Sequence, residues 1–319
     1  MTEKILVTGA TGFVGENLSR SLAQKGCAVY ALTRKETEIF SDEENIRIIV
    51  GDITAPISLP SGIETIYHCA GAIDKPDEME KVNIEGTKNI VALALKNNCK
   101  LIHLSSAGVI GETRERVLDE TTPCHPQNAY ERTKYAAEEI VAGAVKEGLR
   151  AHILRPTVIF GGKKYAKNSF FQLLKSMRNG SFMNIGEGIC NIVHIDEVTK
   201  AMQMLAEADT VSGGIYIVNT PISYRKMNAL VKNLPPAVTK KTLTIPYPVA
   251  YLAVIMATLL CAVAGKKNPL TFSRLKALAN KSVYSQKKIT DTLGFQTSFP
   301  VEEQLKKVCE EYISAGRVR

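Results

Sequence analysis

The chain has 319 residues, a formal net charge of +8 and no tryptophan. Hydrophobic residues make up 45% of it, the share expected of a globular protein that folds around its own core. The lysines and arginines are dispersed and are not interleaved with aromatic residues. This argues against a nucleic-acid groove and favours a solvated surface with an anionic small-molecule ligand.

The start of the chain and its cysteines predict a cytoplasmic protein. The first predicted strand begins near Lys4, so no room is left before it for a signal peptide. No two cysteines form a CxxC pair, so we expect reduced thiols, with neither disulfides nor a metal site. The seven cysteines are Cys27, Cys69, Cys99, Cys124, Cys190, Cys261 and Cys309.

Short β-branched runs alternate with helical patterns over the first half of the chain. The predicted strands are 5–8, 28–32, 46–50, 65–69, 101–105 and 152–155, and the predicted helices are 13–24, 79–96 and 128–146. This alternation is typical of repeated βαβ units. The sequence therefore predicts an α/β fold with a doubly wound parallel sheet of the Rossmann type.

The alternation breaks down after about Gly161. Residues 163–183 are basic and helical in pattern, whereas 191–205 and 215–218 predict a helix and a strand that return to the sheet. We therefore predict a nucleotide-binding domain of residues 1–162 with about 190–220. A smaller, mostly helical substrate lobe would comprise about 163–189 with 221–319.

Three glycines lie between the first predicted strand and the first predicted helix. Gly9, Gly12 and Gly15 follow a GxxGxxG spacing, and Glu16 stands where a P-loop would require lysine. The dinucleotide motif needs one glycine for the turn, one for approach of the backbone to the pyrophosphate and one for close helix packing. We therefore predict that a dinucleotide binds here, with the helix N–H groups facing its pyrophosphate.

The end of the second predicted strand bears on the choice of dinucleotide. Enzymes that select NAD usually place an acidic residue there to bind the ribose 2′-hydroxyl, whereas arginine suits the 2′-phosphate of NADP. Here Thr33 is followed by Arg34 and Lys35. NADP(H) is therefore favoured, and NAD(H) and a merely solvated basic turn remain the alternatives.

Tyr130 and Lys134 lie one helical turn apart and share a face of the third predicted helix. A nearby ammonium favours the phenolate, so Lys134 is expected to lower the pKa of Tyr130 and let it exchange a proton with an alcohol or carbonyl. Ser105 and Ser106 end the fifth predicted strand, at the sheet edge where ligands bind in open α/β sheets. A serine there can hydrogen-bond the reacting oxygen.

Eight motifs follow one another along almost the whole chain. They are TGATGFVG (8–15), GDIT (51–54), HCAG (68–71), NIEGT (83–87), LSSAGVIG (104–111), YERTK (130–134), LRPTVIFG (154–161) and NIVHIDEV (191–198). In this order and spacing the chain resembles the extended short-chain dehydrogenase/reductase family, also called the NAD-dependent epimerase/dehydratase family.

The resemblance implies roles at the matching positions. Ser106 becomes the catalytic hydroxyl, with Ser105 its less favoured neighbour, Tyr130 the general acid/base, and Lys134 its support and a contact of the nicotinamide ribose. With Arg34, the predicted cofactor contacts are Gly9, Thr11, Gly12, Phe13, Val14, Gly15, Asp52, Ile53, Ala70, Gly71, Asn83, Tyr130, Lys134, Pro156 and Val158. The resemblance also implies a homodimer formed through the helices at 79–96 and 128–146.

Two departures from the family's patterns bear on the branch. Family dehydratases carry Asp-Glu after the catalytic hydroxyl, whereas Ala107 and Gly108 follow Ser106 here. Family epimerases commonly carry an arginine that clamps a diphosphate where this chain has Cys190, which cannot supply that contact. The pattern is closer to the 3β-hydroxysteroid dehydrogenase and dihydroflavonol reductase-like branch. A cationic side chain from another part of the chain could clamp the diphosphate instead, so an epimerase remains an alternative. The candidate residues are Lys163, Lys164, Lys167, Arg178 and Arg225.

Three further features have structural interpretations. His194 and Asp196 are expected to help close the two lobes, since no third metal ligand lies near them in sequence. Residues 284–295 predict a helix and turn. Residues 245–265 are uncharged and have lysines on both sides, which leaves open a buried or dimer-lining helix, a peripheral membrane contact, or a spanning helix.

The leading hypothesis is an enzyme that transfers a hydride between NAD(P) and a secondary alcohol or ketone. The alternative is a sugar-nucleotide 4-epimerase that retains NAD, because the same Ser, Tyr and Lys residues would serve both reactions. A dinucleotide-sensing regulator without catalysis is disfavoured, since it would not need the acid-base residues.

Overall fold

The computed structural model describes residues 2–162, 169–210, 212–239, 241–263 and 271–315. Its strands are β1 (Lys4–Thr8), β2 (Ala28–Thr33), β3 (Ile46–Val50), β4 (Thr65–His68), β5 (Lys100–Leu104), β6 (Val117–Leu118), β7 (Ala151–Pro156), β8 (Val158–Phe160), β9 (Asn184–Ile185), β10 (Ile189–His194), β11 (Ile215–Val218), β12 (Thr220–Ser223), β13 (Thr244–Ile245) and β14 (Val283–Tyr284).

The helices flank these strands. They are α1 (Phe13–Gln24), α2 (Pro76–Met79), α3 (Gly86–Lys96), α4 (Ala129–Lys146), α5 (Ser169–Arg178), α6 (Ile195–Glu207), α7 (Tyr224–Asn233), α8 (Tyr247–Val263), α9 (Phe272–Ala279), α10 (Lys287–Leu293) and α11 (Val301–Ser314). A π-helical turn, Glu80–Glu85, joins α2 to α3, so the helix predicted at 79–96 contains a change of helical type.

Seven strands form the main sheet in the order β3-β2-β1-β4-β5-β7-β11. All of the paired strands in this sheet are parallel. The strand order reverses between β1 and β4, and a crevice for a ligand opens at the carboxyl ends of the strands at such a point. The predicted doubly wound parallel sheet is confirmed.

Both faces of the sheet are covered, because successive side chains along each strand point to opposite faces. On one face, Ile5 and Val7 of β1 pack in a cluster with Leu18 of α1 and Met202 of α6. On the other, Leu6 packs in a cluster with residues of α3 and α4, such as Ile90 and Val141. α4, which carries Tyr130 and Lys134, is thereby held against the sheet.

The chain beyond β7 departs from the prediction at 179–183, which follow the end of α5 and are not helical, and within β10. Residues 191–194, predicted as the start of a helix, belong to β10, and α6 begins at Ile195. β10 pairs with β12 in antiparallel and with β8 in parallel orientation. Its apolar residues Ile192 and Val193 are buried, so pairing on both sides outweighs the helical pattern.

The apolar run predicted at 245–265 forms α8, and most of its surface is exposed. Ala250 and Val254 pack against Ile185 and Leu275, whereas large residues such as Leu252 and Leu260 face solvent. The helix is therefore not buried within the chain, whereas a dimer-lining helix and a peripheral membrane contact stay predictions. Among the described residues, no helix combines the length and apolar character needed to cross a membrane.

The predicted helix and turn at 284–295 is confirmed. α10 occupies Lys287–Leu293 and ends at Gly294, whose φ of 67° is the left-handed conformation that favours glycine at a helix end. Phe295 then returns to the core next to α1 and α6.

Candidate active site

The glycine loop after β1 is packed so closely that side chains are excluded. Gly9 has a φ of +63°, and a Cβ there would lie 2.7 Å from the Cα of Ala70. A Cβ on Gly15 would lie 2.2 Å from the carbonyl oxygen of Gly9. Gly12 donates its N–H to Gly9 and caps α1 in an extended conformation. The loop can therefore bring its backbone against a ligand at the helix amino terminus.

A cavity of about 230 Å³ lies over this loop. Of the predicted cofactor contacts, Gly9, Thr11, Gly12, Arg34, Asp52, Ile53, Ala70 and Gly71 line it. Phe13 and Val14 instead pack into the core, and Gly15 lies against the glycine loop. The structure thus brings together eight of the predicted contacts from four separate loops.

A second cavity, of about 460 Å³, adjoins the first at the end of β2. Arg34 lines both cavities, and Thr33 and Lys35 line the second. Asp52 lies nearby, where hydrogen bonds from Thr54 lower the pKa of its carboxyl and the charge of Arg34 lowers it further. The cavity therefore offers a basic pocket beside an ionised carboxylate.

Ser106, Tyr130 and Lys134 meet at the carboxyl end of β5. Ser106 follows the strand, and its Oγ accepts a hydrogen bond of 3.1 Å from the N–H of Gly108. Its side chain also hydrogen-bonds that of Tyr130. Lys134 is buried, and its Nζ donates to the carbonyl oxygen of Leu104 at 2.5 Å. The predicted catalytic residues are thus adjacent in space.

The expected effect of Lys134 on Tyr130 is not found. Burial raises the pKa of Tyr130 above its ordinary value, and the hydrogen bond with Ser106 opposes this increase. Burial also lowers the pKa of Lys134 to about 8. In this arrangement Tyr130 is a neutral phenol at neutral pH, which can donate a proton.

The start of α4 fixes the position of Tyr130. Asn128 accepts a hydrogen bond from the N–H of Glu131, and the carboxylate of Glu131 accepts one from the N–H of Asn128. This reciprocal capping box defines the first helical turn. Further along α4, the carboxylate of Glu138 pairs with the guanidinium of Arg155 on β7 at 2.6 Å, and both side chains are buried. α4 is therefore fixed at both of these points.

A chain of buried hydrogen bonds, which sequence analysis missed, supports the loop after β4. Thr87 donates its only hydroxyl proton to the carbonyl oxygen of Asn83 at 2.6 Å. His68 Nε2, 3.0 Å from Thr87 Oγ1, must therefore be the protonated ring nitrogen. His68 Nδ1 then accepts from Thr8 Oγ1 at 2.8 Å, and Thr8 accepts from the N–H of Ala70 at 3.2 Å.

His68 can play this part because it is uncharged. Burial lowers its pKa to about 3, and the charge of Lys134 contributes to that decrease. His68 and Thr87 stand within the HCAG and NIEGT motifs, which were the available signal. A threonine on each side of a buried histidine is a pattern that sequence alone does not assign.

Asn83 links the cofactor loop to α4. Its side chain makes two hydrogen bonds with the backbone of Ala72, at 2.8 and 3.0 Å, and a third of 3.0 Å with Thr133 Oγ1. Thr133 in turn donates to the carbonyl oxygen of Tyr130. Asn83 is buried within the π-helical turn, and such turns often occur at functional sites. It therefore positions the surrounding backbone.

The remaining predicted positions, Ser105, Pro156 and Val158, line neither the cavity over the glycine loop nor the cavity at the end of β2. Pro156 is buried at the end of β7, Val158 is 48% exposed, and Ser105 is buried behind Ser106. A larger cavity of about 860 Å³ begins at Gly108 and reaches Tyr284. It lies between the loop after β5 and the C-terminal part of the chain.

Two residues at issue for a diphosphate clamp, Cys190 and Arg178, line none of the three cavities. Cys190 is buried in the cluster formed by α5, α7 and α11, where burial raises the pKa of its thiol to about 11. Arg178 is buried too, and its guanidinium donates to the carbonyl oxygens of Val231, Leu234 and Pro236. Arg225 is exposed, and the candidates Lys163, Lys164 and Lys167 lie outside the described residues.

His194 caps a helix, and its predicted part in closing the two lobes stays a prediction. Its Nδ1 accepts the N–H of Asp196 at the start of α6, and its ring packs edge-on against Phe160 of β8. In the described part of the chain, no three His, Cys, Asp or Glu side chains are arranged to hold a metal ion.

Comparison with known proteins identifies the family. The model of the NAD dependent epimerase/dehydratase family matches residues 5–218, which is more than half of the chain. The chain belongs to that family. The resemblance to the extended short-chain dehydrogenase/reductases is thereby confirmed, and the protein is an NAD(P)-dependent enzyme of this type.

Individual relatives are distant but cover nearly the whole chain. An N-acetyl-α-D-glucosaminyl-diphospho-ditrans,octacis-undecaprenol 4-epimerase of Escherichia coli O157:H7 is 25% identical and covers 99% of this chain and 98% of its own. A decarboxylating sterol-4-α-carboxylate 3-dehydrogenase of Candida albicans is 26% identical, with 94% and 95% covered. The crystal structure of a UDP-glucuronic acid 4-epimerase from Bacillus cereus with NAD has a TM-score of 0.77, 17% identity and coverage of 98% and 99%.

Proposed function

We propose that the protein transfers a hydride between NADP(H) and a secondary alcohol or ketone. The observation that carries the proposal is the meeting of Ser106, Tyr130 and Lys134 at the carboxyl end of β5, on the sheet edge that also carries the cavity over the glycine loop. The bound nicotinamide would supply or accept the hydride. The chain's own residues bind the dinucleotide, hold the substrate oxygen and move its proton.

The glycine loop fits a dinucleotide, because a side chain at Gly9 or Gly15 would meet backbone atoms. Gly9 and Gly12 would let the backbone approach the pyrophosphate, and the network through His68 and Asn83 holds the neighbouring loop at Ala70 to Ala72. Lys134 would contact the nicotinamide ribose, with Pro156 and Val158 near the nicotinamide.

Tyr130 would act as the acid in the reductive direction. Since burial raises its pKa, its phenol keeps the proton at neutral pH and can donate it to the carbonyl oxygen. Ser106, which hydrogen-bonds Tyr130, would hold that same oxygen in place. In the oxidative direction the proton would move from the alcohol back to Tyr130.

The preference for NADP(H) over NAD(H) is supported by the basic pocket at the end of β2. Arg34 and Lys35 line a cavity next to the glycine loop, and a guanidinium there suits a ribose 2′-phosphate. The pocket contains one acidic lining residue, Glu36, beside these two cations.

A lipid-like substrate is supported by the names of two relatives. One is named for an undecaprenol-linked diphosphosugar and the other for a sterol carboxylate. The cavity of about 860 Å³ beside Gly108 is large enough for part of such a molecule. The chain matches both relatives over nearly their full length. The proposal of a lipid-like substrate therefore includes the substrate lobe, which borders this cavity.

A sugar-nucleotide 4-epimerase is the second candidate, because a relative named as a UDP-glucose 4-epimerase matches 99% of the chain. The burial of Cys190 and Arg178 disfavours it, since neither can clamp a diphosphate. We retain the division into a nucleotide-binding domain (1–162 with about 190–220) and a substrate lobe as part of the proposal. Homodimer formation and a cytoplasmic location belong to it as well.

The test is turnover of NADPH with a panel of sterol and polyprenyl ketones. Tyr130→Phe should lower kcat by about a hundredfold or more, the usual contribution of a positioned acid, and leave NADPH binding intact. Tyr135→Phe, on the same helix, is the matched control and should keep wild-type rates. Wild-type rates in Tyr130→Phe would refute the assignment.

A further inference from the structure

The feature of the molecule left without a role is the exposed side of α8. Five large apolar side chains lie on it at helical spacing, and we call them the α8 face: Val249, Leu252, Met256, Leu259 and Leu260. Leu252 is 62% exposed and Leu260 is 66% exposed. Over its 17 residues the helix extends about 25 Å, so the face is long as well as apolar. Patches of this kind mark sites of interaction.

The charges of the surrounding sequence are all of one sign. Between Asp209 and Asp291 the chain contains no Asp or Glu. The same stretch contains twelve cationic residues: Arg225, Lys226, Lys232, Lys240, Lys241, Lys266, Lys267, Arg274, Lys276, Lys281, Lys287 and Lys288. Lysines stand before and after α8 in the sequence, whereas the helix itself carries no charge. Four of these twelve form ion pairs with carboxylates from outside the stretch, namely Lys226 with Glu302, Lys276 with Glu112, Lys281 with Glu187 and Lys287 with Asp291. The sequence around α8 therefore keeps a surplus of cations.

The apolar face could contact either a second copy of the chain or a lipid bilayer, and the surrounding cations distinguish these two possibilities. A second copy of the chain docked through α8 would bring two basic regions together, and like charges at an interface are unfavourable. An anionic lipid bilayer offers hydrocarbon for the apolar side chains and negative headgroups for the lysines. The charge complementarity therefore favours a bilayer surface.

The α8 face is also continuous with the cavity beside Gly108. Tyr247, the first residue of α8, lines that cavity, as do Ser273 and Lys276 of α9. The ring of Tyr251 lies tilted against those of Tyr247 and Phe272, with ring centroids 6.1 and 5.3 Å apart. An aromatic edge thus joins the exposed face to the cavity.

We infer that α8 lies in the interface of an anionic membrane, with the α8 face in contact with lipid and the cavity beside Gly108 open at the bilayer surface. Such a contact would give a lipid-like substrate access to the cavity, and this role rests on the proposed function. The contact itself does not, since it requires neither cofactor nor turnover.

The test is flotation of the full-length protein with vesicles of phosphatidylcholine, with and without phosphatidylglycerol. Wild type should float with the anionic vesicles at least about tenfold more than with neutral ones, and less as salt is added. Leu260→Glu should reduce anionic binding by about tenfold or more, because burying a charge in the interface costs more than leaving it in water. The binding of Leu260→Gln to anionic vesicles should lie between that of Leu260→Glu and that of the wild type.

Phe299→Glu is the matched control. It places the same charge at an apolar residue that is 59% exposed on the loop before α11, and it should bind vesicles as wild type does. Circular dichroism would establish that each variant is folded. Absence of binding by wild type, or equal binding by wild type and Leu260→Glu, would overturn the inference.

Analytical sedimentation without lipid tests the alternative that a second copy of the chain covers α8. A wild-type dimer that Leu260→Glu converts to monomers, with no vesicle binding, would show that a second copy covers α8 and would overturn the inference. NADPH titration of the same samples keeps the two proposals separate. Intact NADPH binding without vesicle binding would overturn the membrane contact alone, and the reverse would overturn the cofactor assignment alone.

Discussion

The buried ammonium of Lys134 lowers the stability of the folded protein, and this loss can be measured as a dependence of stability on pH. Its side chain is 4% exposed, and burial lowers the pKa of its ammonium from 10.5 to about 8. Between these two pH values the unfolded chain keeps a proton that the folded protein has lost. Raising the pH through this window therefore favours folding.

Replacing Lys134 with methionine removes this dependence while keeping a side chain of similar length. With a folded pKa of about 8, the wild type should gain roughly 2–3 kcal/mol in stability relative to Lys134→Met between pH 7 and pH 10. Titration of other groups occurs in both proteins and cancels in the difference. The buried ammonium is thus retained at the expense of stability, as expected of a residue kept for function.

The assay is equilibrium urea unfolding of both proteins at pH 7 and pH 10. Far-ultraviolet circular dichroism is the appropriate signal, because the chain contains no tryptophan. A stability difference that stays constant with pH would refute the reasoning. So would a wild type that loses stability relative to Lys134→Met as the pH rises.

Three further predictions concern the site and its support. Glu138→Gln, which leaves a buried guanidinium without its carboxylate, should cost about 3–5 kcal/mol in urea unfolding, whereas Glu310→Gln in an exposed pair should cost less than about 1 kcal/mol. Gly9→Ala should reduce NADPH affinity by at least about tenfold because its Cβ meets neighbouring backbone, and Gly26→Ala, with a φ of +87° but no atom within 4 Å, should bind NADPH normally. Arg34→Gln should weaken NADPH about tenfold or more in fluorescence titration and leave NADH nearly unchanged, and equal losses for both nucleotides would contradict the assignment of the 2′-phosphate pocket.

Much of the sheet could be predicted from sequence because local pattern and tertiary environment agree there. The strand at 46–50 and the helix at 13–24 were predicted with the bounds that the structure has. Buried parallel strands read as short continuous apolar runs, and the glycine spacing locates the first turn. The motif order also placed Ser106, Tyr130 and Lys134 at one edge of the sheet.

Other features depend on neighbours that are distant in sequence. Lys134 bonds the carbonyl oxygen of Leu104, thirty residues earlier, so its burial and lowered pKa could not be predicted from helical spacing. β10 is a strand because β8 and β12 pair with it on its two sides. The exposure of α8 runs against the usual burial of apolar residues, and only the packing of the lobe reveals it.

The measurement that tests the central claim most directly is the identity of any nicotinamide nucleotide released when the freshly purified protein is denatured. Titration of the emptied protein with NADPH and NADH would follow. We predict no stoichiometric retained nucleotide and tighter binding of NADPH than of NADH, as expected for a cofactor exchanged at each turnover through the Arg34 pocket. Stoichiometric NAD, retained through purification, would contradict it and favour the 4-epimerase.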